Sequence, residues 1–553
     1  MIKVIASNIT SPIGRTVQEN FDSVRNGASA LKVMRDWNGI PGQICAGVFS
    51  EKDREELSLA GHTWLESLAI HSIKEALSQT CIDPGGSRVG FILSTTKGNI
   101  DRIEATKSQD RDYADPGITA QRIASGIGIA TTPFTVCNAC ISGITAQIFA
   151  ERMIHLGRFD TVIVCGADIL SEFTVAGFSS LKALSPTPCR PFDIERLGLN
   201  LGECAATMIF TRSSADDDFN WKIVRYSLNN DAYHVSAPSP NGEGLLRAIR
   251  HTFNPDKDSE PATISLHGTA TMFNDQSESM AISASGLGHI PITAYKAFFG
   301  HTLGASGILE TVLTMKSIDS GILLPVEGFE EMGVSGKINV SDLTRQTDQT
   351  SFLKLISGFG GCNGAVLYSK KCAEEAPKND SMGYEVLNRV HIKCGSTPLT
   401  EIYKKSIADN SRFYKMDTFS KLVYVTAALL VKDELPPHNP EDVSMLVFNK
   451  TSSILADRQH LATFRNSDGF YPSPSVFINT LPNVVMGELA VQYGIKGETS
   501  FIILPERDDV LIRDITDSVI SDSPTRYIIT GWADASAEND YEAEFELLKT
   551  QVN

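Results

Sequence analysis

The sequence lacks the segments that direct a chain into a membrane or out of the cell. No run approaches the roughly 20 uncharged apolar residues that a bilayer-spanning helix needs. The opening residues, MIKVIASNITSPIG, have no basic stretch followed by a long apolar core, which a signal peptide would show. We therefore expect a cytoplasmic protein with no membrane insertion.

Charge, cysteine usage and missing motifs exclude further classes. The net charge of −17 disfavours nonspecific binding of nucleic acid. Ten cysteines among 553 residues do not indicate a disulfide framework. Cys137 and Cys140 have the spacing of a redox pair or of half a zinc site, yet no second C-x-x-C follows. The absence of G-x-S-x-G and H-E-x-x-H leaves serine-hydrolase and zincin functions without support.

Short apolar runs alternate with longer helical patterns along the first two thirds of the chain. The nearly continuous hydrophobicity of these runs is typical of strands covered on both faces. The alternation predicts a layered α/β fold. The predicted strands cover residues 90–95, 133–139, 161–168, 262–268 and 352–360, and the main predicted helices cover 142–156 and 305–318.

A polar, proline-containing segment, KKCAEEAPKNDS, interrupts this pattern near residue 372. Its composition is typical of a linker. We therefore predict a first domain over residues 1–372, a linker over 373–381 and a second domain over 382–553.

The second domain resembles a degraded copy of the opening part of the first. Four pairs of segments occur in the same order at similar spacing, which argues for a repeat although no single pair would. The pairs are 68–77 with 422–431, 91–102 with 446–458, 128–136 with 494–503, and 161–168 with 527–534. The chain then carries an acidic segment, 534–546, that we expect to be solvated.

Cys140 lies where a predicted strand runs into a helix that begins near Ile141. Unpaired N–H groups at a helix N-terminus favour a thiolate and lower the pKa of a cysteine placed there. Cys140 is therefore a candidate nucleophile. From this segment alone, the alternative is a buried structural cysteine.

His267 ends another predicted strand, the position at which α/β folds usually place ligands and catalytic groups. Asn274, Asp275 and Glu278 follow it at the start of a helix. A lone histidine is more often structural, but this polar cluster favours a functional site.

Lys296 and His301 lie in a stretch of apolar and small residues, AYKAFFGHTLGASGILE. A lysine in such surroundings needs a partner if it is buried, and Glu310 is the candidate. The alternative is a surface lysine beside a tightly packed glycine-rich turn.

The segment ISGFGGCNGAV, residues 356–366, is similar to a dinucleotide-binding fingerprint, but its third glycine position is Asn363 and no helix follows. We reject nucleotide binding. A glycine-rich hairpin that presents backbone N–H groups and Phe359 to a site is the better interpretation.

Taken together, these segments resemble the β-ketoacyl synthase family, in its elongating class that acts on acyl carrier protein substrates. The family's patterns around its cysteine, its two histidines with the lysine, and its Gly-Phe-Gly-Gly hairpin match at 139–143, 267–278, 296–307 and 358–363. Its RPFD and GE-x-A signatures match at 190–193 and 202–205. The order and spacing agree over residues 1–372.

The resemblance implies a thiolase-like fold of two duplicated halves, about 1–220 and 221–372, in five α/β/α/β/α layers. A truncated thiolase-like half would follow. The implied activity is that of a β-ketoacyl-[acyl carrier protein] synthase, an acyltransferase that performs decarboxylative Claisen condensation with malonyl-carrier in fatty-acid, polyketide or polyene synthesis. Substrates would arrive on the phosphopantetheine of acyl carrier protein, and no cofactor or metal is expected.

The resemblance also implies roles for the candidate residues. Cys140 is expected to accept the acyl chain, and the backbone N–H groups of Cys140 and Phe359 to form the oxyanion hole. His267 and His301 are expected to bind the malonyl thioester carbonyl and promote decarboxylation.

The supporting residues follow from the same resemblance. Lys296 is expected to be held by Glu310, while Asp275 and Glu278 support the histidine loop.

Competing functions differ at these positions. Thiolase uses a second cysteine near its C-terminus, and the starter-unit class of condensing enzyme pairs cysteine with histidine and asparagine. A chain-length-factor-like, non-enzymatic partner subunit of a condensing complex is the alternative, but it would lack the nucleophile.

In the second domain, the position that matches Cys140 falls near Arg507 and no histidine motif follows, so we predict that this domain is catalytically inactive. Its residues 500–504 match the strand before Cys140, which in the family pairs across the dimer axis. The chain is therefore expected to form a homodimer, or a pseudo-dimer through its own C-terminal half domain.

Overall fold

The computed structural model describes residues 1–105, 114–213, 219–371, 383–395, 397–432, 435, 438–465, 469–522 and 525–551. The predicted linker, 373–381, lies outside the described residues. Among the helices that are described, none is long and apolar enough to cross a membrane.

The N-terminal half alternates strands with helices. Its strands are β1 (Ile2–Thr10), β2 (Leu31–Arg35), β3 (Gln43–Gly47), β4 (Val89–Ser94), β5 (Phe134–Val136), β6 (Thr161–Asp168), β7 (Leu201–Gly202) and β8 (Cys204–Arg212). Its helices are α1 (Val17–Arg25), α2 (Glu51–Leu57), α3 (Trp64–Leu77), α4 (Pro116–Ile127), α5 (Ser142–His155) and α6 (Glu172–Ser180). Every residue of β4 and β6 is buried, as expected for strands covered on both faces.

The next part of the chain, up to residue 371, continues the alternation. Its strands are β9 (Lys222–Asn230), β10 (Ile264–Ser265), β11 (Pro291–Thr293), β12 (Ile322–Leu323), β13 (Asn339–Val340), β14 (Arg345–Gln346), β15 (Ser351–Gly358) and β16 (Cys362–Ser369). Its helices are α7 (Glu243–Thr252), α8 (Met272–Ser285), α9 (Lys296–Phe299) and α10 (Ser306–Asp319).

The C-terminal unit, residues 383–551, has its own strands and helices. The strands are β17 (Tyr384–Lys393), β18 (Val443–Asn449), β19 (Thr499–Ile503), β20 (Tyr527–Ala537) and β21 (Asp540–Thr550). The helices are α11 (Leu399–Ser406), α12 (Thr418–Val431), α13 (Ile454–Arg465), α14 (Pro474–Asn479), α15 (Val484–Tyr493) and α16 (Asp509–Asp522).

Five layers enclose the core of residues 1–371. One set of strands, in the order β1-β8-β6-β4-β5, lies under the outer helices α3 and α4. A second, in the order β9-β16-β15-β10-β11-β13, lies under α7, against which α8 packs. Helices α5 and α10 lie between the two sets and contact both. This is the α/β/α/β/α arrangement that the family resemblance implies.

The C-terminal unit repeats the first of these sheets. Its strand order, β17-β21-β20-β18-β19, is that of β1-β8-β6-β4-β5, and the parallel and antiparallel pairings recur in the same places. The register irregularity of β1, between Val4 and Ala6, recurs in β17 between Val386 and Asn388. The four sequence parallels predict this arrangement.

The two units meet edge to edge. β19 pairs antiparallel with β5. Asn138 extends the junction, because its Oδ1 accepts the N–H of Phe501 at 2.7 Å and its Nδ2 donates to the carbonyl of Thr499 at 3.2 Å. Residues 500–504 therefore include the strand that pairs with the one before Cys140, as the pseudo-dimer alternative requires, and the edge of β5 is occupied within one chain.

A buried ion network crosses the same junction. Arg152 on α5 lies 2.8 Å from Glu498 and 3.0 Å from Asp522 at the end of α16. All three side chains are at least nine-tenths buried. Because a buried charge without its partner is costly, removing one member of such a network costs about 3–5 kcal/mol.

Three sequence expectations need correction. The acidic segment 534–546 is not a solvated tail but lies in the hairpin of β20 and β21. Ala543, Phe545 and Leu547 are buried while the glutamates between them face outward, a period-two pattern that outweighs the acidic composition. The strands predicted over 133–139 and 262–268 are shorter, because the chain turns early towards the site.

Candidate active site

Cys140 lies in a tight turn between β5 and α5. A 3-10 turn, Ala139–Ile141, separates these elements, and Ala139 has a φ of 48°, in the left-handed region. Ser142 holds the turn, since its Oγ donates to the carbonyl of Ala139 at 2.6 Å and accepts the N–H of Asn138 at 2.8 Å. The Cys140 side chain is left half-buried between two fully buried neighbours.

The hairpin of β15 and β16 brings backbone N–H groups to the sulfur. Gly358 approaches so closely that a Cβ on it would lie 3.3 Å from the backbone nitrogen of Cys140. The N–H groups of Phe359 and Cys140 both lower the pKa of the Cys140 thiol. Two converging N–H groups are what an oxyanion hole requires, and the structure brings the two predicted donors together.

Burial nevertheless decides the protonation of the thiol. Burial raises the pKa of Cys140 to about 11, although Lys296 and the two N–H groups act in the opposite direction. The expectation that the helix N-terminus lowers this pKa on balance is therefore wrong, because desolvation of the sulfur outweighs neutral donors. The anion of Cys140 needs further stabilisation during the reaction.

His301 supplies a contact of this kind. Its Nε2 lies 3.0 Å from the Cys140 sulfur, and its Nδ1 accepts the N–H of Leu303 at 3.2 Å. In a neutral ring, an accepting Nδ1 leaves the proton on Nε2. Burial, with Lys296 second, holds the pKa of His301 well below its usual range. His301 is thus a neutral ring whose N–H is directed at the sulfur.

His267 stands edge-to-face with His301, with ring centroids 4.9 Å apart. Burial first, and then Lys296, His301 and Lys354, hold the pKa of His267 well below its usual range. One nitrogen of each ring and the Cys140 sulfur all lie within 4.8 Å of one another, so one substrate group can reach all three. This group of side chains could also surround a metal ion; that none is needed stays a prediction.

The loop that carries His267 is held by Glu278. Its carboxylate accepts the N–H groups of His267 at 2.7 Å and Gly268 at 2.9 Å. Burial raises the pKa of Glu278 to about 7. Glu278 therefore fixes the backbone at His267. These contacts do not bring its carboxylate to the Cys140 sulfur.

Asp275 braces a neighbouring loop. It accepts the N–H groups of Phe192 at 2.7 Å and Ala270 at 3.1 Å. Burial raises its pKa to about 6. Through these bonds Asp275 ties the 190–193 segment to the loop after His267.

Behind the histidines lies a fully buried trio of charges. Glu310 accepts a hydrogen bond from Lys296 through one oxygen, as predicted, and from Lys354 at 2.6 Å through the other. The ammonium group of Lys354 also lies 3.4 Å from the carbonyls of Ser265 and Leu266.

Comparison with known proteins decides the family. The model described as "Beta-ketoacyl synthase, N-terminal domain" matches residues 1–215, and the model described as "Beta-ketoacyl synthase, C-terminal domain" matches residues 222–330. Together they match more than half of the chain. This chain belongs to the β-ketoacyl synthase family.

Relatives within the β-ketoacyl synthase family align with most of their own length. The chain is 24% identical over 420 residues to 3-oxoacyl-[acyl-carrier-protein] synthase 2 of Vibrio harveyi, covering 68% of this chain and 99% of that protein. It is 28% identical over 343 residues to the tetracenomycin polyketide synthase ketoacyl synthase alpha subunit of Streptomyces glaucescens, covering 55% and 80%.

A solved structure matches both units of this family member. The structure described as "PfaC Keto synthase-Chain length factor" covers 100% of this chain and 79% of its own, with a TM-score of 0.79 and 14% identity. At this identity the likeness shows the fold. The predicted thiolase-like fold class is confirmed.

A cleft of about 400 Å³ leads from the surface of the synthase to Cys140. Both histidines and Phe359 line it. Its mouth is formed by three large apolar side chains that are mostly exposed, Leu197 (66%), Met272 (59%) and Phe273 (74%). An exposed apolar rim around a deep cleft is typical of a surface that meets a partner or ligand.

The C-terminal unit contributes residues that the sequence does not predict to lie near the site. Asn483 donates to the carbonyl of Phe359 at 2.8 Å. Phe359 stacks on Phe178 at 6.3 Å, and Phe477 packs edge-on against Phe178 at 5.4 Å. No local motif marks Asn483 or Phe477, because their position depends on the pairing of β5 with β19.

Lys354 is not among the residues predicted above, although a local pattern marks it. It is the one charged residue within the apolar run FLKLIS, and strands buried on both faces rarely accept an unpaired lysine. Like Lys296, a buried Lys354 needs an anionic partner.

Proposed function

We propose that this chain is a β-ketoacyl-[acyl carrier protein] synthase that condenses a Cys140-bound acyl group with malonyl-carrier. The observation that carries the proposal is the convergence on one sulfur of two backbone N–H groups and the Nε2–H of His301 at 3.0 Å. Such an arrangement stabilises the anion of a nucleophile and of a thioester oxygen. We also propose that this reaction requires neither a metal ion nor a cofactor.

The first half-reaction transfers an acyl group. The Cys140 sulfur attacks the thioester carbonyl, and the N–H groups of Cys140 and Phe359 hold the oxyanion. The carbon–sulfur bond to the carrier then breaks, and the thiol proton of Cys140 leaves on the carrier thiol. Because the pKa of Cys140 is raised, the hydrogen bond from His301 assists this step by stabilising the thiolate.

The second half-reaction uses the histidine pair. The thioester oxygen of malonyl-carrier accepts hydrogen bonds from the Nε2–H of His301 and from a ring N–H of His267. The bond to the carboxylate breaks, carbon dioxide leaves, and the electron pair forms an enolate held by these donors. The enolate carbon attacks the acyl-Cys140 carbonyl, and the Cys140 thiolate departs.

We further propose acyl carrier protein as the partner that delivers both substrates. A thioester on a long flexible arm suits a nucleophile at the floor of a deep cleft. The apolar rim of Leu197, Met272 and Phe273 is the surface next to which the carrier would dock. A solved ketosynthase with 22% identity to this chain is described in complex with its acyl-carrier protein.

Replacing His267 or His301 by alanine is expected to slow carbon dioxide release from malonyl-carrier by roughly 10²–10³-fold, the usual effect of losing one donor to a developing oxyanion. Radiolabelled carbon dioxide release measures this step. Acylation of Cys140 by acyl-carrier, followed by intact mass, is expected to fall less in His267→Ala than in His301→Ala, because only His301 contacts the sulfur directly.

His289→Ala is the matched control, since His289 is an exposed histidine paired with Glu260. It should leave both half-reactions unchanged. Release of carbon dioxide at the wild-type rate by either site variant would contradict the proposed role.

A second role, for the C-terminal unit, is supported by Phe477. This unit has no nucleophile at the position of Arg507, yet its Phe477 packs over Gly177, where a Cβ would lie only 2.1 Å from the ring. Phe477 therefore closes the space behind Phe178, which lines the cleft. We propose that the C-terminal unit limits the length of the bound acyl chain.

Phe477→Ala is expected to shift products towards longer chains by one or more two-carbon units, because it opens a cavity behind Phe178. Mass spectrometry of carrier-bound products measures the shift. Phe464→Ala is the matched control, since Phe464 packs against His460 and not against Phe178. An unchanged product distribution in Phe477→Ala, with the protein folded, would rule out this role.

A further inference from the structure

Lys354 occupies an unusual place for a buried cation. It lies on β15, directly opposite Ser265 of β10, and is fully buried. Two residues after Ser265 comes His267. The ammonium group of Lys354 is 2.6 Å from Glu310, which also receives a hydrogen bond from Lys296. One carboxylate is thus shared by two buried lysines.

Lys354 also acts on a second carboxylate. Burial lowers the pKa of Lys354, while the charge of Glu310 and, more weakly, that of Glu278 act to raise it. The charge of Lys354 in turn lowers the pKa of Glu278, against the larger effect of burial, which raises it. Glu278 holds the backbone of His267. By its contacts with Glu310 and with the carbonyls of Ser265 and Leu266, Lys354 lies beside the end of the strand that leads into His267.

A single ion pair of Lys296 with Glu310 would be neutral. A second lysine raises the local charge by one unit, in a region where charge interacts strongly because little water is present. The malonyl substrate carries a carboxylate, and its decarboxylation creates an enolate. Both anions arise on the side of the cleft formed by His267 and His301, in front of the lysines.

We propose that Lys354 is a positioning residue for the malonyl half-reaction, supplying an additional positive charge beside the pair of Lys296 and Glu310 behind the two histidines. This inference rests on the proposed condensing activity. In this role Lys354 does not touch the substrate. Its positive charge contributes to the electrostatic potential at the histidine pair, where the malonyl anion and the enolate would be bound.

A purely structural role predicts something different. If Lys354 only ties β15 to β10 and α10, its loss should disturb the whole site, including the hairpin that bears the Phe359 N–H. Acyl transfer to Cys140 would then fall together with decarboxylation. A charge role predicts that the two half-reactions separate.

The test measures both half-reactions in Lys354→Met, which keeps the length of the side chain and removes its charge. Carbon dioxide release from malonyl-carrier is expected to fall roughly tenfold to a hundredfold. Acylation of Cys140 by acyl-carrier, read by intact mass, is expected to stay within about twofold of wild type, since its oxyanion is held by backbone groups.

The decisive variant is the double substitution Lys354→Met with Glu310→Gln. It removes one positive and one negative charge, so the net charge of the site returns to that of the wild type. The double variant is expected to release carbon dioxide at least about fivefold faster than Lys354→Met alone. Such a recovery would show that the two charges are energetically coupled. A double variant no faster than the single one overturns the proposal, as does a parallel loss of both half-reactions.

Lys222→Met is the matched control. Lys222, at the start of β9, is also a fully buried lysine; it donates to the carbonyl of Lys370, just after β16, and it does not line the cleft. It should leave the ratio of the two half-reactions unchanged. The wild type in the same assay reports on the proposed function separately: no carbon dioxide release by wild type would refute the condensing activity, whereas only the variant ratios bear on Lys354.

Discussion

Replacing Cys140 by alanine should abolish condensation, with a loss on the order of 10⁴-fold or more, as for the removal of other enzymic nucleophiles. Without the sulfur, no acyl group can be held opposite the enolate. The histidine pair is untouched, so Cys140→Ala should still release carbon dioxide from malonyl-carrier. Product formation and carbon dioxide release, measured together, should therefore separate.

The pH dependence of alkylation should report on the same residue. Because burial raises the pKa of Cys140 to about 11, its labelling by iodoacetamide should accelerate about tenfold per pH unit between pH 7 and pH 10 as the thiolate fraction grows. Cys137→Ala is the control. Cys137 is fully buried, with its sulfur 3.2 Å from the carbonyl of Thr96, and should neither label first nor be needed for condensation.

Two outcomes would contradict this assignment. One is preferential labelling of Cys137. The other is a Cys140→Ala protein that continues to form condensation products.

Deleting residues 382–553 should produce the largest structural effect. The truncated chain would expose the edge of β5 and leave Arg152 without Glu498 and Asp522. An unpaired apolar edge pairs readily with other chains. We expect aggregation, or a new dimer formed through β5, when the mass in solution is measured by light scattering.

A single substitution in the full chain tests the contribution of the interface to stability without the other effects of truncation. Arg152→Met in the full chain should lower the free energy of unfolding by about 3–5 kcal/mol. Arg158→Met, whose partner Asp514 lies 2.9 Å away at a more exposed position, should change it by less than about 1 kcal/mol. A truncated protein that stays soluble with unchanged mass and product length would show that the C-terminal unit only decorates the synthase.

Local sequence was sufficient to identify the candidate catalytic residues that the structure brings together. Cys140, His267 and His301 each lie at a strand end or glycine-rich turn, so the order of elements brings them towards one edge of the fold. Glu310 could be paired with Lys296 because a buried cation demands a partner. These inferences need only the sequence near each residue.

Features that depend on distant parts of the chain cannot be predicted from local sequence, or are predicted with the wrong sign. The pKa of Cys140 was expected to fall because its helix could be predicted, whereas the depth of the cleft could not. Phe477 and Asn483 reach the site only through the pairing of two strands more than 360 residues apart. The acidic composition of residues 534–546 predicts a solvated segment. Only the alternation of the buried residues Ala543, Phe545 and Leu547 indicates the strand that the structure shows.

The pairing of β5 with β19 has a consequence for how assembly depends on concentration. When two separate subunits complete each other, dilution favours the incomplete monomers. Here both partners belong to one polypeptide, so their association is a unimolecular step with an effective concentration set by the intervening chain. One synthase site is matched to one C-terminal unit at every protein concentration, and the specific activity of this chain should not fall on dilution.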